Sequence, residues 1–188
     1  MTLRFVRVIC VIAVVFFAGL RSVNAQAYRQ LSSFDFKGTP MPGGYIAYTN
    51  CSIDYTYQPV WMDGYYKLKI NVNVQVNKNR SWIDRSRVNN PEMLAEVLKH
   101  EQGHYIFAYM MQQEMMDAGN KMRFGNDYDK QVSLVLNRIK NKYKQLNDDY
   151  DDDTEHMTNH VQQKSWDMYF RQSLGNRYAN VVTVSQAR

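Results

Sequence analysis

Cysteine is almost absent from this sequence: Cys10 and Cys51 are the only two among 188 residues. Cys10 lies in an apolar N-terminal segment with the pattern of a secretory signal, so Cys51 stands alone once that segment is removed. A lone cysteine excludes a disulfide within the mature chain, and the domain must be stable without one. Cys51 is then either a small buried apolar residue or a thiol that gates a metal or pairs between two chains.

The sequence also lacks an apolar run that favours a stable membrane span, which takes about 20 residues. Its apolar stretch, residues 8–20, is shorter, follows Arg4 and Arg7, and precedes small or compact residues at 23–25. This pattern predicts a signal peptide over residues 1–25 and an exported protein, periplasmic or extracellular, without stable membrane insertion after cleavage. Retention of the segment as an N-terminal anchor is the alternative.

A strong excess of charge of one sign is missing as well. The formal net charge of +5 includes the three arginines of the signal segment, and their loss leaves +2. This imbalance is too weak to indicate a nucleic-acid partner. The remaining 163 residues are enough for one domain with a core, which we place at 26–173, followed by a tail at 174–188 with a short strand at 181–184. Nothing in the sequence indicates an oligomeric state.

A β-hairpin is predicted in the first half of the mature chain. Aromatic and β-branched residues alternate with polar ones over residues 45–61, and Asp63-Gly64 is a typical hairpin turn. The next stretch, 65–76, alternates cleanly, which predicts an antiparallel strand with one buried face. The residues expected on that face are Leu68, Ile70, Val72, Val74 and Val76.

Three helices are predicted after the strands. The first begins at Pro91, is capped by Asn89 or Asn90, and is expected to stop at Gly119. A second helix is predicted over residues 128–146 and a third over 156–173, with the acidic run 148–153 between them. Together with the hairpin, these helices predict one α+β domain.

All four histidines form two pairs spaced four residues apart. In the first pair, His100 and His104 frame Glu101 in an HExxH motif. On a helix, residues four apart lie on the same face, so both histidines can bind one metal ion, and Glu101 can reach a metal-bound water. This is the arrangement of zinc hydrolases, and the amphipathic pattern of the predicted helix turns the motif inward. The alternative is a pair of ordinary core or surface histidines.

A catalytic zinc site takes three protein ligands and leaves a position for water. The extended motif HExxHxxGxxH is not present, because Phe107 and Met110 occupy its glycine and histidine positions. The third ligand is therefore sought in the second pair, His156 and His160. Only one of these two need coordinate, and the other could face a developing oxyanion.

The acidic run 148–153 has three interpretations. It can be a solvated segment that favours the positive N-terminus of the third helix. Alternatively, Asp151 or Asp153 can orient His156 from outside the metal. A separate calcium site is the third interpretation, although the EF-hand spacing is absent.

The sequence resembles bacterial proteins, formerly of unknown function, that are described as predicted secreted zinc-dependent proteases. The resemblance rests on three stretches with a closing pair: residues 79–82 (NRSW), 98–105 (LKHEQGHY) and 150–156 (YDDDTEH), followed by Gln163 and Trp166. It implies a zincin-like fold and His156 as the third ligand. A glycine is common after this histidine in the family, where this chain has Met157.

The motif and the resemblance together predict one Zn²⁺ ion held by His100, His104 and His156. Glu101 would act as the general base toward the metal-bound water and then protonate the leaving amine. His160 or Tyr150 would stabilise the oxyanion. The predicted function is an exported zinc metallopeptidase, a hydrolase of protein or peptide substrates. The alternative is an exported metal-binding or interaction module that keeps these helices without turnover.

Overall fold

A long β-hairpin is the first large element of the computed structural model, which describes residues 28–175. Strand β2 (Cys51–Met62) pairs antiparallel with β3 (Tyr65–Val76), with Cys51 opposite Val76 and Met62 opposite Tyr65. Asp63 and Gly64 both have positive φ, 41° and 94°, as a two-residue turn of this hand requires. The predicted hairpin and its turn are confirmed. The predicted signal peptide and residues 176–188, with the predicted strand 181–184, lie outside the described residues.

The inner face of β3 forms one side of the hydrophobic core. Leu68, Ile70, Val72 and Val74 are buried, and Val76 at the strand end is partly buried. A second, two-stranded sheet is formed by β1 (Ala47–Tyr48) and β4 (Trp82–Ile83), again antiparallel. The aromatic alternation predicted over 45–61 is therefore interrupted at Thr49 and Asn50, where the chain passes from one sheet to the other.

Helix α1 (Pro91–Lys121) packs across the inner face of the hairpin. Its N-cap is Asn90, whose side-chain oxygen accepts a hydrogen bond from the Met93 N–H at 2.7 Å. The predicted stop at Gly119 is wrong, because the helix continues to Lys121. Gly119 faces Ile70 of β3 instead, and the missing side chain lets the helix approach the sheet.

Helix α2 spans Tyr128–Thr154 and α3 spans His160–Leu174. The acidic run is thus the C-terminal part of α2 and not a separate loop, and His156 lies in the turn before α3 and not on a helix. Both helices pack against α1, which gives the predicted α+β architecture of antiparallel strands followed by three helices. Among residues 28–175, none of the helices is apolar over enough length to cross a membrane.

Candidate metal centre

Helix α1 brings the HExxH motif to the wall of a cavity of about 240 Å³. His100 and Glu101 are almost fully buried, at 4% and 3% exposure, and His104 is partly buried. The cavity is closed on the other side by residues 45–49, which contain β1, and by the C-terminal end of α2. The inward direction predicted for the motif is therefore confirmed.

Hydrogen bonds from other helices fix the orientation of both histidine rings. Nδ1 of His100 lies 3.2 Å from Oε1 of Gln163 on α3, and Nδ1 of His104 lies 2.8 Å from Oδ1 of Asn147 on α2. An amide oxygen accepts hydrogen bonds, so each Nδ1 carries a proton and each Nε2 is directed to the cavity. Zinc-binding histidines are typically oriented by such a bond on their remote nitrogen.

Asp151 lies where the imidazole rings converge. Its Oδ1 is 3.2 Å from Nε2 of His100, 3.3 Å from Nε2 of His104 and 3.5 Å from Nδ1 of His156. Burial raises the pKa of Asp151, but the contacts with His100 and His104 outweigh it and hold the pKa well below its usual range. The carboxylate is therefore ionised at neutral pH.

The cluster of His100, Glu101, His104, Asp151 and His156 in this cavity also changes the basicity of one of its members, His104. Burial lowers the pKa of this imidazole, but the contact with Asp151 and the charge of Glu101 outweigh that effect and raise the pKa to about 9. Two carboxylates thus favour the positively charged form of this imidazole. A divalent cation can supply the same positive charge at the same place.

His156 reaches the cavity from the turn that follows α2. Its side chain is 47% exposed, and its ring contacts that of Tyr45 edge to face at 4.7 Å. Glu155, His156 and Met157 have φ values of 48°, 50° and 83°, so three consecutive non-glycine residues adopt left-handed backbone conformations. Such a run is strained and is held by its surroundings, as is common at functional sites.

Glu101 is anchored from the β-sheet side. Oγ1 of Thr49, the residue after β1, donates a hydrogen bond to Oε2 of Glu101 at 2.5 Å. Glu101 also lies near the histidines, since one of its oxygens is within 4.8 Å of a ring nitrogen of each motif histidine. Thr49 was not predicted from the sequence, because only the packing of β1 on α1 brings it here.

The two predicted oxyanion donors are located away from the open cavity. Tyr150 is fully buried, stacks on the His100 ring at 4.7 Å, and donates its hydroxyl to the His100 carbonyl oxygen at 3.0 Å. His160 is the first residue of α3, is exposed, and does not line the cavity. The structure brings His100, Glu101, His104 and His156 together, but not His160, and Tyr150 supports the ring of His100.

The donor set fits a transition-metal ion better than calcium. Three imidazole nitrogens and one carboxylate oxygen are typical zinc donors, whereas calcium takes oxygen ligands. In the acidic run, Asp148 pairs with Lys144, and Asp153 accepts a hydrogen bond from Trp166 Nε1 at 3.0 Å. These two acidic side chains are therefore directed to other partners and not to a common calcium ion.

A second cavity of about 330 Å³ adjoins the first and shares Tyr48, Thr49, His104 and Asn147 with it. Cys51 is one of its lining residues and is partly buried. Burial raises the pKa of this thiol to about 12, which makes it poorly reactive at neutral pH. This is the environment of a small apolar residue rather than of a reactive thiol.

The fold and the cluster define a class: an α+β domain with a candidate metal centre on an HExxH helix. The chain itself belongs to DUF922, a family of bacterial proteins of unknown function, whose model matches residues 22–157. The match includes both the HExxH motif and His156. No curated protein and no solved structure matches the chain.

Proposed function

We propose that this protein is an exported zinc-dependent metallopeptidase. The observation that carries the proposal is that His100 Nε2, His104 Nε2 and His156 Nδ1 all lie within 3.5 Å of the same oxygen, Asp151 Oδ1, in a cavity that Glu101 also lines. Three imidazoles are a common ligand set of catalytic zinc sites. The export part of the proposal rests on the signal-like pattern of residues 1–25.

A zinc ion bound here would lower the pKa of a coordinated water to about 7 and polarise a substrate carbonyl. The chain supplies the proton transfers. Glu101, oriented through Oε2 by Thr49, takes a proton from the attacking water and delivers it to the leaving amine. Gln163 and Asn147 hold the two motif rings in the tautomer that leaves Nε2 free. Burial of Glu101 keeps bulk water away from this carboxylate.

The cavity is bordered by residues 45–49, which include the short strand β1, and this border suits a peptide as substrate. Tyr45 and Tyr48 are exposed at its rim, at 52% and 44%, and offer aromatic surface to a bound chain. The adjoining cavity of about 330 Å³ could receive a side chain of that peptide. These features favour peptide bonds over small soluble esters or amides.

A non-catalytic metal-binding module is the second candidate. Asp151 favours it, because a fourth protein donor next to three histidines is typical of closed, structural zinc sites. The buried Glu101 favours catalysis instead, since a structural site has no use for a base in the cavity. The two candidates therefore differ in whether Glu101 affects turnover.

The deciding experiment replaces Glu101 with Gln in the purified mature protein. We expect about one zinc per chain in both the wild type and Glu101→Gln, and loss of peptide or casein hydrolysis by at least about a hundredfold in the variant. Glu96→Gln, at an exposed position of the same helix, is the matched control and should keep full activity. Zinc binding without hydrolysis in the wild type would favour the non-catalytic module, and a wild type without zinc would exclude both.

A further inference from the structure

The position of Asp151 differs from that of an outer carboxylate that merely orients a histidine. Such a group contacts the ring nitrogen remote from the metal. Here the remote nitrogens of His100 and His104 are already bonded to Gln163 and Asn147. Asp151 Oδ1 contacts both Nε2 atoms instead, which face the cavity. The carboxylate is therefore on the inner side of the rings.

The distances around Oδ1 match those between ligands of one ion. In a tetrahedral site with metal–ligand bonds of about 2.0–2.2 Å, ligand atoms are about 3.3–3.6 Å apart. Oδ1 of Asp151 is 3.2, 3.3 and 3.5 Å from the three imidazole nitrogens. These three separations are those expected between Asp151 Oδ1 and neighbouring ligand atoms of one ion, and the donor atoms of Asp151, His100 and His156 all lie within 4.8 Å of one another.

The end of α2 holds Asp151 in this position. Tyr150, directly before it, and Thr154, three residues after it, are fully buried. Thr154 Oγ1 donates a hydrogen bond to the Tyr150 carbonyl oxygen at 2.6 Å. Asn147, one turn earlier on the same helix, binds His104. The same helix end thus orients a motif histidine and delivers the carboxylate. The Asp151 side chain is still 26% exposed, so it has room to turn toward solvent.

We propose that Asp151 is a fourth, displaceable ligand of the metal, an inference that rests on the metal centre of the proposed function. With the carboxylate in place, three imidazoles and Oδ1 close the coordination shell and leave no position for water. Rotation of the Asp151 side chain toward solvent opens that position. The protein is therefore latent in its resting form, and a peptide that enters the cavity must displace the carboxylate before it is cleaved.

The test uses cobalt(II) as a spectroscopic substitute for zinc in the mature protein. Azide, a small anion, binds at an open coordination position and changes the visible absorption of cobalt. We expect the wild type to require at least tenfold more azide than Asp151→Ala for half of the spectral change. We also expect zinc affinity, measured by competition with a chelator, to fall at least tenfold in Asp151→Ala.

Two further variants make the result unambiguous. Asp151→Asn keeps the size of the side chain and should change both measurements in the same direction, which guards against a folding defect in the alanine variant. Asp152→Asn removes the same charge from the adjacent, exposed position and should behave as the wild type. Equal zinc affinity and azide response in the wild type and both Asp151 variants would overturn the inference.

Different results would contradict the role of Asp151 as a ligand and the peptidase activity. A wild type that binds zinc and shows the expected azide difference, but cleaves no peptide, would contradict the peptidase and leave Asp151 as a ligand. A wild type that hydrolyses peptides with an azide response equal to that of Asp151→Ala would contradict only the role of Asp151. A wild type that binds neither zinc nor cobalt would overturn both.

Discussion

The two late histidines have the same residue type but different surroundings. Nδ1 of His156 lies 3.5 Å from Asp151 Oδ1 and so belongs to the cluster. His160 is exposed at the start of α3 and does not line the cavity. Sequence spacing alone leaves the choice between them open, because both positions suit a ligand. The turn after α2 brings His156, and not His160, to the cavity.

His156→Ala and His160→Ala should therefore have different effects on the metal. We expect His156→Ala to lower zinc affinity by at least about tenfold, since it removes a ligand, and His160→Ala to leave it unchanged. Competition with a chromophoric chelator measures both affinities under the same conditions. The opposite pattern would show that the third ligand has been assigned to the wrong histidine.

Gly103 lies between the two motif histidines and allows Tyr150 to pack against α1. A Cβ atom at this position would come within 2.6 Å of the Tyr150 ring and hydroxyl. Tyr150 stacks on His100 and also interacts with Gln163, so a displaced ring would disturb the orientation of a candidate ligand. The glycine is required by this close approach and not by its backbone angles.

Gly103→Ala should reduce both stability and zinc affinity. We expect a loss of about 1–3 kcal/mol in the free energy of unfolding from overpacking, and weaker zinc binding because the His100 ring shifts. Urea unfolding in chelator gives the first quantity, and chelator competition gives the second. Gly119→Ala is the matched control on the same helix: its Cβ clashes with Ile70 of β3, far from the motif, and should lower stability alone. Equal zinc affinity in Gly103→Ala and the wild type would contradict this account.

At the scale of elements, the C-terminal part of α2 is where sequence and structure differ most. Six residues, 148–153, include five aspartates, a poor helix former with mutually repelling charges, and this composition predicts a loop. The helix continues because Tyr143, Tyr150 and Thr154 are buried at spacings of seven and four, which extend its apolar stripe. Tertiary packing thus overrides local propensity.

Other parts of the site differ in how far the sequence predicts them. His100, Glu101 and His104 are predictable because the i,i+4 geometry of a helix is local. The hairpin is predictable from its alternation and its Asp-Gly turn for the same reason. Thr49 and the contact of Asp151 with the motif depend on how β1 and α2 pack against α1, and no short-range pattern reports that packing.

Glu155 offers a test of the strain in the turn that carries His156. It follows the last residue of α2 with φ 48° and ψ 47°, a left-handed conformation in which glycine is much preferred. Its side chain is exposed. We expect Glu155→Gly to raise the free energy of unfolding by about 1 kcal/mol, because an L-residue pays about 1–2 kcal/mol for this conformation.

Urea unfolding of the chelator-treated protein isolates this effect from metal binding. Glu96→Gly is the control at an exposed site within α1, where glycine should lower stability by about 1 kcal/mol. A destabilising effect of similar size at Glu155 would mean that the side chain contributes interactions worth more than the backbone strain.

At the scale of the whole molecule, the four candidate donors come from elements that are distant along the chain. Two histidines come from α1, Asp151 comes from the end of α2, and His156 comes from the following turn. Because Cys51 is the single cysteine among the described residues, no disulfide performs this function there. A bound ion would therefore connect α1 to the α2–α3 region across the cavity.

Zinc should consequently stabilise the fold as a whole. A ligand that binds only the folded state at 100 times its Kd adds about 2.7 kcal/mol, which corresponds to a rise of roughly 5–11 °C in Tm for a domain of this size. We expect calorimetric scans of the mature wild type to show this rise between chelator and zinc. Magnesium should produce no comparable rise, because it prefers oxygen ligands. The rise should also shrink in His156→Ala at the same zinc concentration, since fewer donors hold the ion. A Tm that is independent of zinc at concentrations that fill the site would mean that the ion does not connect these helices in the folded state.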